Sequence, residues 1–316
     1  MKSNRYAAID CGTNTFRLLI ATPADAGHPT PWQILYYGHH IPRLGEGLQA
    51  SGQLCEAGMQ RAVTAFADFA AAMDRYDVPA DHRLACATAA VREAANGEAF
   101  CQRVLRETGI ALQVIAGETE AAWSLRGACA VLKRQVQADM LLFDIGGGST
   151  EFIRARDARQ RDAISRKMGV IKLTEAHLQS DPPATSDYEA IQAAVSQHLA
   201  AVEAFWPDHT PPRHLVGTAG TITTLAATAL DMAEYDTDRI NNYRMSRENF
   251  LQLRERLLAL TNAERAAMAS IESGREDLII AGTAIVDTVM RRWHYDHITV
   301  LDAGLLEGIW LAVQAG

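Results

Sequence analysis

Apolar residues along this chain follow two textures. Short runs rich in β-branched and aromatic residues, bounded by Gly, Pro or Asn, predict strands; longer runs with apolar positions three and four apart predict helices. Tyr6 to Ala21 reads as a strand, a turn at Gly12-Thr13-Asn14 and a second strand, and Gln33 to Ile41 as a further strand. From Cys55 to Tyr76, the residues Met59, Val63, Phe66, Phe69 and Met73 mark the buried stripe of a helix. Leu84 to Thr88 predicts a strand, Asn96 to Thr108 a helix and Leu112 to Ile115 a strand, and another helix opens near Gly117.

Part of this order returns from Leu141. Asp139 to Asp144 and Glu151 to Ala155 predict a hairpin, and Ala163 to Lys172 another strand. Ser186 and Glu189 have the spacing of a capping box and predict a helix start after Pro182-Pro183, running to about Trp206. Leu215 to Thr218 predicts a strand leading into the helix Thr221 to Leu230. Helices over Arg247 to Leu260 and Asp277 to Trp293, the strand Ile298 to Leu301 and the helix Gly304 to Ala315 follow. The fold class is therefore α/β: two ribonuclease-H-like domains with an interdomain cleft. The expected domains are 1–130 and 131–303, with a linker near 130–138 and a C-terminal helix 304–316 packing back on the first.

Inside this pattern one device occurs twice, 134 residues apart. Ala7-Ala8-Ile9-Asp10-Cys11-Gly12-Thr13-Asn14-Thr15 and Leu141-Leu142-Phe143-Asp144-Ile145-Gly146-Gly147-Gly148-Ser149-Thr150 each run from an apolar strand through Asp-x-Gly into a loop of small residues. An Asp at a strand end can hold a hydrated Mg²⁺, and glycine lets backbone N–H groups crowd onto a phosphate. The pattern points to phosphoryl chemistry. A turn-capping Asp and a plain hairpin turn are the ordinary alternatives at each position taken singly.

The formal charge of −8 argues against a nucleic-acid-binding role, so an anionic substrate must meet a local basic patch. Such a patch stands between Arg154 and Lys172: Arg154, Arg156, Arg159, Arg161, Arg166, Lys167 and Lys172 face only Asp157 and Asp162. It reads either as a solvated hairpin or as a cleft border that guides polyanions. The cysteines Cys11, Cys55, Cys86, Cys101 and Cys129 are scattered, without Cys-x-x-Cys spacing, and suit reduced thiols of a cytoplasmic protein. No segment is long and apolar enough to span a membrane, so none is expected as a partner; Leu278 to Met290 is 13 residues long and includes Asp287. His294-Tyr295-Asp296-His297 has metal-like spacing without an evident third ligand, and His39-His40 needs no chemistry.

The chain resembles the exopolyphosphatase / guanosine pentaphosphate phosphohydrolase (Ppx/GppA) family of the actin-like ATPase superfamily. The resemblance rests on ordered blocks over nearly the whole chain. Besides the two Asp-x-Gly loops these are Arg43-Leu44-Gly45-Glu46-Gly47-Leu48, Thr88-Ala89-Ala90-Val91-Arg92-Glu93-Ala94-Ala95-Asn96, Gly117-Glu118-Thr119-Glu120-Ala121, Gly217-Thr218-Ala219-Gly220-Thr221, Gly274-Arg275-Glu276-Asp277 and Asp302-Ala303-Gly304-Leu305-Leu306-Glu307-Gly308. Thr119 departs from the family's usual Glu-Glu pair, and the chain corresponds to a short form without the C-terminal HD-type region.

The resemblance implies a Mg²⁺-dependent phosphohydrolase that releases terminal phosphate from inorganic polyphosphate or guanosine pentaphosphate. Glu120 becomes the general base, where position alone suits a residue that merely stabilises a helix start. Glu118 is its weaker neighbour. Arg92 suits bidentate phosphate binding, although a surface role fits its position equally. Asp144, Asp10 and Glu151 are the expected metal set. Thr13, Asn14, Arg17, Gly146, Gly147, Gly148, Ser149 and Arg275 are the expected phosphate contacts. A small-molecule kinase of the same superfamily and a non-catalytic sensor of guanosine tetra- or pentaphosphate are the alternatives, and a homodimer stays open.

Overall fold

The computed structural model describes residues 4–206 and 210–315, so the outer limits 1 and 316 expected for the domains fall outside it. The chain divides into two compact units, one running to Val131 and resuming at Ala303, the other spanning Leu132–Asp302.

In the first unit the strands are β1 (Tyr6–Cys11), β2 (Phe16–Pro23), β3 (Trp32–His40), β4 (Arg83–Ala87) and β5 (Leu112–Val114). Its helices are α1 (Leu48–Ser51), α2 (Glu56–Arg75), α3 (Ala89–Glu93), α4 (Gly97–Thr108) and α5 (Gly117–Val131). The sheet order is β3-β2-β1-β4-β5, with β1, β2 and β3 antiparallel and β4 and β5 parallel to β1. This 3-2-1-4-5 order is the ribonuclease-H-like arrangement. Alternation along β1 sends Ala7, Ile9 and Cys11 into a core with Phe66, Phe69 and Phe100, and Ala8 into another with Leu306, Ile309 and Trp310. Both faces are buried, which is why β1 reads as a nearly continuous apolar run.

The second unit repeats the plan. Its strands are β6 (Met140–Ile145), β7 (Thr150–Arg156), β8 (Arg159–Arg166), β9 (His214–Thr218), β10 (Tyr243–Ser246) and β11 (His297–Val300). The helices are α6 (Arg134–Gln137), α7 (Val170–His177), α8 (Thr185–Phe205), α9 (Ala219–Ala229), α10 (Thr237–Ile240), α11 (Arg247–Ala259), α12 (Asn262–Ala266) and α13 (Ile279–Arg292). The order β10-β11-β9-β6-β7-β8 contains the same five-strand core, with β10 added at the edge. Helix α13 is apolar because it lies in the middle of this unit's core. Its Asp287, 2% exposed, accepts hydrogen bonds from Tyr188 Oη at 3.3 Å, Gln192 Nε2 at 2.9 Å and Arg254 Nη1 at 2.9 Å. A buried carboxylate with three donors is tolerated where an isolated one would not be.

Two expectations need correction. The strand expected over Ala163 to Lys172 stops at Arg166, and Val170–His177 is helix α7. Val170 and Ile171 read as β formers, but their N–H groups reach back to the Gly146 and Gly147 carbonyls at 3.1 and 3.0 Å and begin a helix there. The expected capping box at Ser186 and Glu189 is also absent: α8 begins at Thr185 after Ala184, without a side-chain cap. Asp187 is spent instead on the Gln179 and Ser180 N–H groups at 3.0 and 2.8 Å. Those bonds, that of Gln179 first, hold its carboxyl below the usual range.

The last helix, α14 (Leu305–Gln314), belongs to the first unit, where it packs on α5 and β1. Trp310 meets the rings of Tyr6 and Trp32 edge-on, each at 6.1 Å between centroids. The α5–α14 crossing is close because two glycines line it. A methyl group at Gly308 would overlap the Trp123 carbonyl oxygen, and one at Gly127 would overlap the Gly304 carbonyl oxygen. Backbone on both sides leaves nowhere for the clash to relax. Gly308→Ala is therefore expected to destabilise the protein by about 1–3 kcal/mol, seen as a lower melting temperature. An unchanged melting temperature would show that the helices separate freely.

Candidate active site

The two Asp-x-Gly turns close with the same bond. In the first, Gly12 N donates to the Thr15 carbonyl at 3.1 Å; in the second, Gly146 N donates to the Ser149 carbonyl at 2.9 Å. A further segment ties down two more carbonyls of each turn. Gly45 N and Arg43 N donate to the Thr13 and Asn14 carbonyls at 2.9 and 3.1 Å, while Val170 N and Ile171 N hold those of Gly146 and Gly147. Close approach requires a glycine in each backing segment: a methyl group at Gly45 would strike the Thr13 side chain, and one at Gly169 the Gly147 carbonyl. With their carbonyls held from behind, the loops are built to present N–H groups on the other side, as an anion-binding nest requires. Among the described residues, no hydrogen-bond acceptor takes the Gly147 or Gly148 N–H. Asn14 is 6% exposed, and its Oδ1 is buried without a hydrogen-bond partner. Neither Gly45 nor Gly169 was recognised as part of the device from sequence.

The residue opposite each Asp differs in sign. Asp10 pairs in register with Arg17, and Arg17 Nη2 donates to Asp10 Oδ2 at 2.7 Å. Burial works against the Arg17 charge, but the facing Asp10 carboxylate more than reverses it, and the guanidinium pKa is raised. Asp144 pairs with Glu151, and Glu151 with Ser165, whose Oγ donates to Glu151 Oε1 at 2.7 Å. Directly paired residues share a face, so Ser165, Glu151, Asp144 and, across the parallel pair, Thr218 form one polar row. Asp144 is 8% and Glu151 1% exposed. Two buried carboxylates side by side are costly unless a positive charge joins them. Hard oxygen donors in that number fit a Mg²⁺ ion that keeps several of its waters. Asp10 is ion-paired with Arg17. Among the described residues, no cluster of three His, Cys, Asp or Glu side chains gathers, at His294 and His297 or elsewhere.

Glu120 and Arg92 meet. Strands β1, β4 and β5 run parallel, so their carboxyl ends lie along one edge of the sheet, the usual place for a ligand in such folds. Thr88 N extends the β1–β4 ladder to the Cys11 carbonyl at 3.2 Å, and α3 carries Arg92 from there. Ile115 N continues β5 onto the Ala87 carbonyl at 3.0 Å, and α5 opens two residues later. Arg92 Nη1 then donates to the Ile115 carbonyl at 2.8 Å and to Glu120 Oε2 at 3.1 Å. Glu120 lies in the first turn of α5, where the helix end favours a carboxylate, and is 7% exposed. Glu118, in the same turn, points to solvent. The two neighbours thus differ in burial, Glu120 inside and Glu118 outside.

In the second unit the Arg275 guanidinium lies against Gly220 at the β9–α9 turn, where any side chain would collide with it. Its Nε donates to Glu272 Oε2 at 3.2 Å, and Glu276 Oε2 accepts the Gly274 and Arg275 N–H groups at 2.6 and 3.0 Å. Arg275 is a firmly placed cation. The basic run from Arg154 to Lys172 is partly structural. Arg154 is buried, paired through Nε and Nη2 with Asp162 at 2.9 and 2.8 Å and stacked over Trp206 at 5.2 Å. Arg156, Arg159, Arg161 and Lys167 are exposed.

The thiols near the first turn are poor nucleophiles. Burial, with the Asp10 charge added, raises Cys11 well above its ordinary value and pushes Cys86 up to about 12. Burial also takes Cys129 up to about 11 and raises Cys101. Chemistry through a cysteine–phosphate intermediate does not suit this site.

Among the described residues, no helix is long and apolar enough to cross a membrane. A model of the Ppx/GppA phosphatase family matches residues 22–314. Exopolyphosphatase 2 of Mycobacterium tuberculosis is 34% identical over 325 aligned residues, covering 99% of each chain. Among solved structures, an exopolyphosphatase-like protein superposes with a TM-score of 0.89 at 30% identity, covering 98% of this chain and 99% of that one. An exopolyphosphatase from Cytophaga hutchinsonii superposes with a TM-score of 0.88 at 28% identity, covering 99% and 98%.

The thiol environments are directly measurable. At pH 8 a thiol of pKa about 12 is thiolate to only ~10⁻⁴, whereas Cys55 is exposed. In the native protein a disulfide reagent should label Cys55 quickly, Cys129 slowly, and Cys11, Cys86 and Cys101 only on unfolding. Rapid native labelling of Cys11 or Cys86 would contradict the site as described.

Proposed function

The chain belongs to the Ppx/GppA phosphatase family, and from that premise we propose that it is a phosphohydrolase releasing terminal orthophosphate from inorganic polyphosphate, with guanosine pentaphosphate as a second substrate. The observation that carries this reading is the buried Glu120 carboxylate held by Arg92 in the first turn of α5.

Hydrolysis of a phosphoanhydride needs a water aligned with the breaking P–O bond, a group to take its proton, and positive charge where the leaving phosphate gathers negative charge. Glu120 takes the proton as the water oxygen attacks phosphorus. Arg92 Nη1 holds Oε2 of that carboxylate, fixing the direction of the other oxygen. In each unit the N–H groups of the loop, at Thr13–Asn14 or at Gly146–Ser149, are suited to phosphate oxygens with little reorganisation, since two of the turn's carbonyls are already held by the backing segment. Asp144 and Glu151 would hold Mg²⁺, which would supply positive charge to offset that of the phosphate oxygens. Arg17 stays with Asp10 as a fixed cation beside the first loop, and Arg275 supplies another in the second unit. No covalent phosphoenzyme is needed, and the reduced thiols suit a cytoplasmic enzyme.

A phosphate-release assay tests the whole reading, comparing long and short polyphosphate, guanosine pentaphosphate and ATP with and without Mg²⁺. Release from polyphosphate is expected without any acceptor and should stop when the metal is chelated. Glu120→Gln should fold normally and lose roughly 10²–10⁴ in kcat. Near-normal turnover by that variant would remove Glu120 from the mechanism, and activity indifferent to chelation would remove the cation.

A further inference from the structure

We propose that Arg166 and His198 form an anion seat in the second unit, one that takes phosphate groups of a long polyphosphate remote from the group being released. The proposal rests on the polyphosphate reading above and adds a second place of contact to it.

Arg166 ends β8 and pairs in register with Thr150, the residue that follows the Gly146–Ser149 loop. Its neighbour Ser165 pairs with Glu151, and adjacent residues of a strand face opposite ways. Arg166 therefore stands on the face of the sheet away from Glu151 and Asp144, the face towards α8. There its Nη2 approaches Nδ1 of His198, on α8, at 3.4 Å. Its Nε is buried without a hydrogen-bond partner. Among the described residues, Arg166 forms no ion pair. Arg154, on the same face, shows what a structural arginine has in this place: the Asp162 carboxylate and the Trp206 ring. Arg166 has only an imidazole.

Burial first, then the charges of Arg166 and Lys172, hold the His198 pKa below its ordinary value, so the ring is neutral near pH 7. A guanidinium can only donate, so Nδ1 accepts and the ring proton sits on Nε2. The pair thus offers guanidinium and imidazole N–H groups together with a positive charge, which suits phosphate oxygens. Both residues are half-buried, open to a ligand yet partly shielded from water. β8 is the edge strand of its sheet, and Arg159 and Arg161 are exposed along it. In a protein of charge −8, these further cations favour a polyanion over a single phosphate.

The test has two arms, both on the full chain. In the first, NMR follows the His198 ring signal, assigned by its loss in His198→Gln, in chelator and at constant ionic strength. The signal should shift saturably with inorganic phosphate. With long polyphosphate it should do so at a concentration of phosphate groups at least about tenfold lower. Neither should move it in Arg166→Gln. In the second arm, Arg166→Gln should raise KM for long polyphosphate roughly tenfold, while KM for short chains and kcat change less than about twofold. Arg166→Lys, which keeps the charge, should recover most of the long-chain KM. A His198 signal indifferent to both ligands, or equal losses for long and short chains, would overturn the seat. A response to phosphate with no gain for the long chain would make it a seat for free phosphate and end the polyphosphate role. Should Arg166→Gln fail to fold, the wild-type signal in the first arm decides. If the wild type releases phosphate from no polyphosphate, the hydrolase reading fails, and the first arm still judges the seat.

Discussion

Each half of this protein depends on a four-residue turn whose first N–H closes on its fourth carbonyl. Once Gly12 N is bonded to Thr15 O, or Gly146 N to Ser149 O, the intervening peptides have little freedom left. The backing segments at residues 43–45 and 169–171 then take two more carbonyls of each turn and restrict the loop further. The arrangement is costly to build, because two distant stretches of chain must meet at backbone contact distance. It is also rigid, which is what anion recognition by peptide dipoles needs. The surrounding sheets can be understood as the means of bringing those stretches together.

The duplication is geometric rather than chemical. Both strand-end Asp residues face the residue seven positions on, since the same hairpin follows each. In one half that residue is Arg17 and the pair is internally neutral; in the other it is Glu151 and the pair carries like charge. One backbone plan thus yields an anchored cation beside one loop and a carboxylate pair beside the other. The difference lies in a single residue type at a single register position.

Much of this was legible in the chain, for physical reasons that also mark the limits. The Asp-x-Gly turns are local, so their bonds close within four residues and sequence alone exposes them. The Arg17–Asp10 and Glu151–Asp144 pairs were available from the seven-residue hairpin spacing, though only register makes the opposite signs meaningful. Gly45 and Gly169 were not legible as a pair, because each acts on a loop more than twenty residues away and shares nothing but a missing side chain. Helix α7 was misread because Val170 and Ile171 favour strands in isolation, and a tertiary contact with the Gly146–Gly147 carbonyls overrode that preference. Arg154 was grouped with its basic neighbours, yet strand alternation turns it towards Trp206 and Asp162. Glu120 was singled out by resemblance; its burial and its bond to Arg92 come from tertiary contacts that its position in the sequence does not reveal.

Helix α14 completes a layer begun by β1, yet the ribosome makes it only after every residue of the second unit. Until then Ala8, Leu19 and Cys86 lack the cover that Leu306, Ile309 and Trp310 provide. The second unit, made from one continuous stretch, can consolidate during synthesis while the first waits half-assembled. Unlike most chains, in which the leading domain matures first, this one has its leading portion finished last, and a chaperone guarding the nascent product would find its exposed apolar surface there.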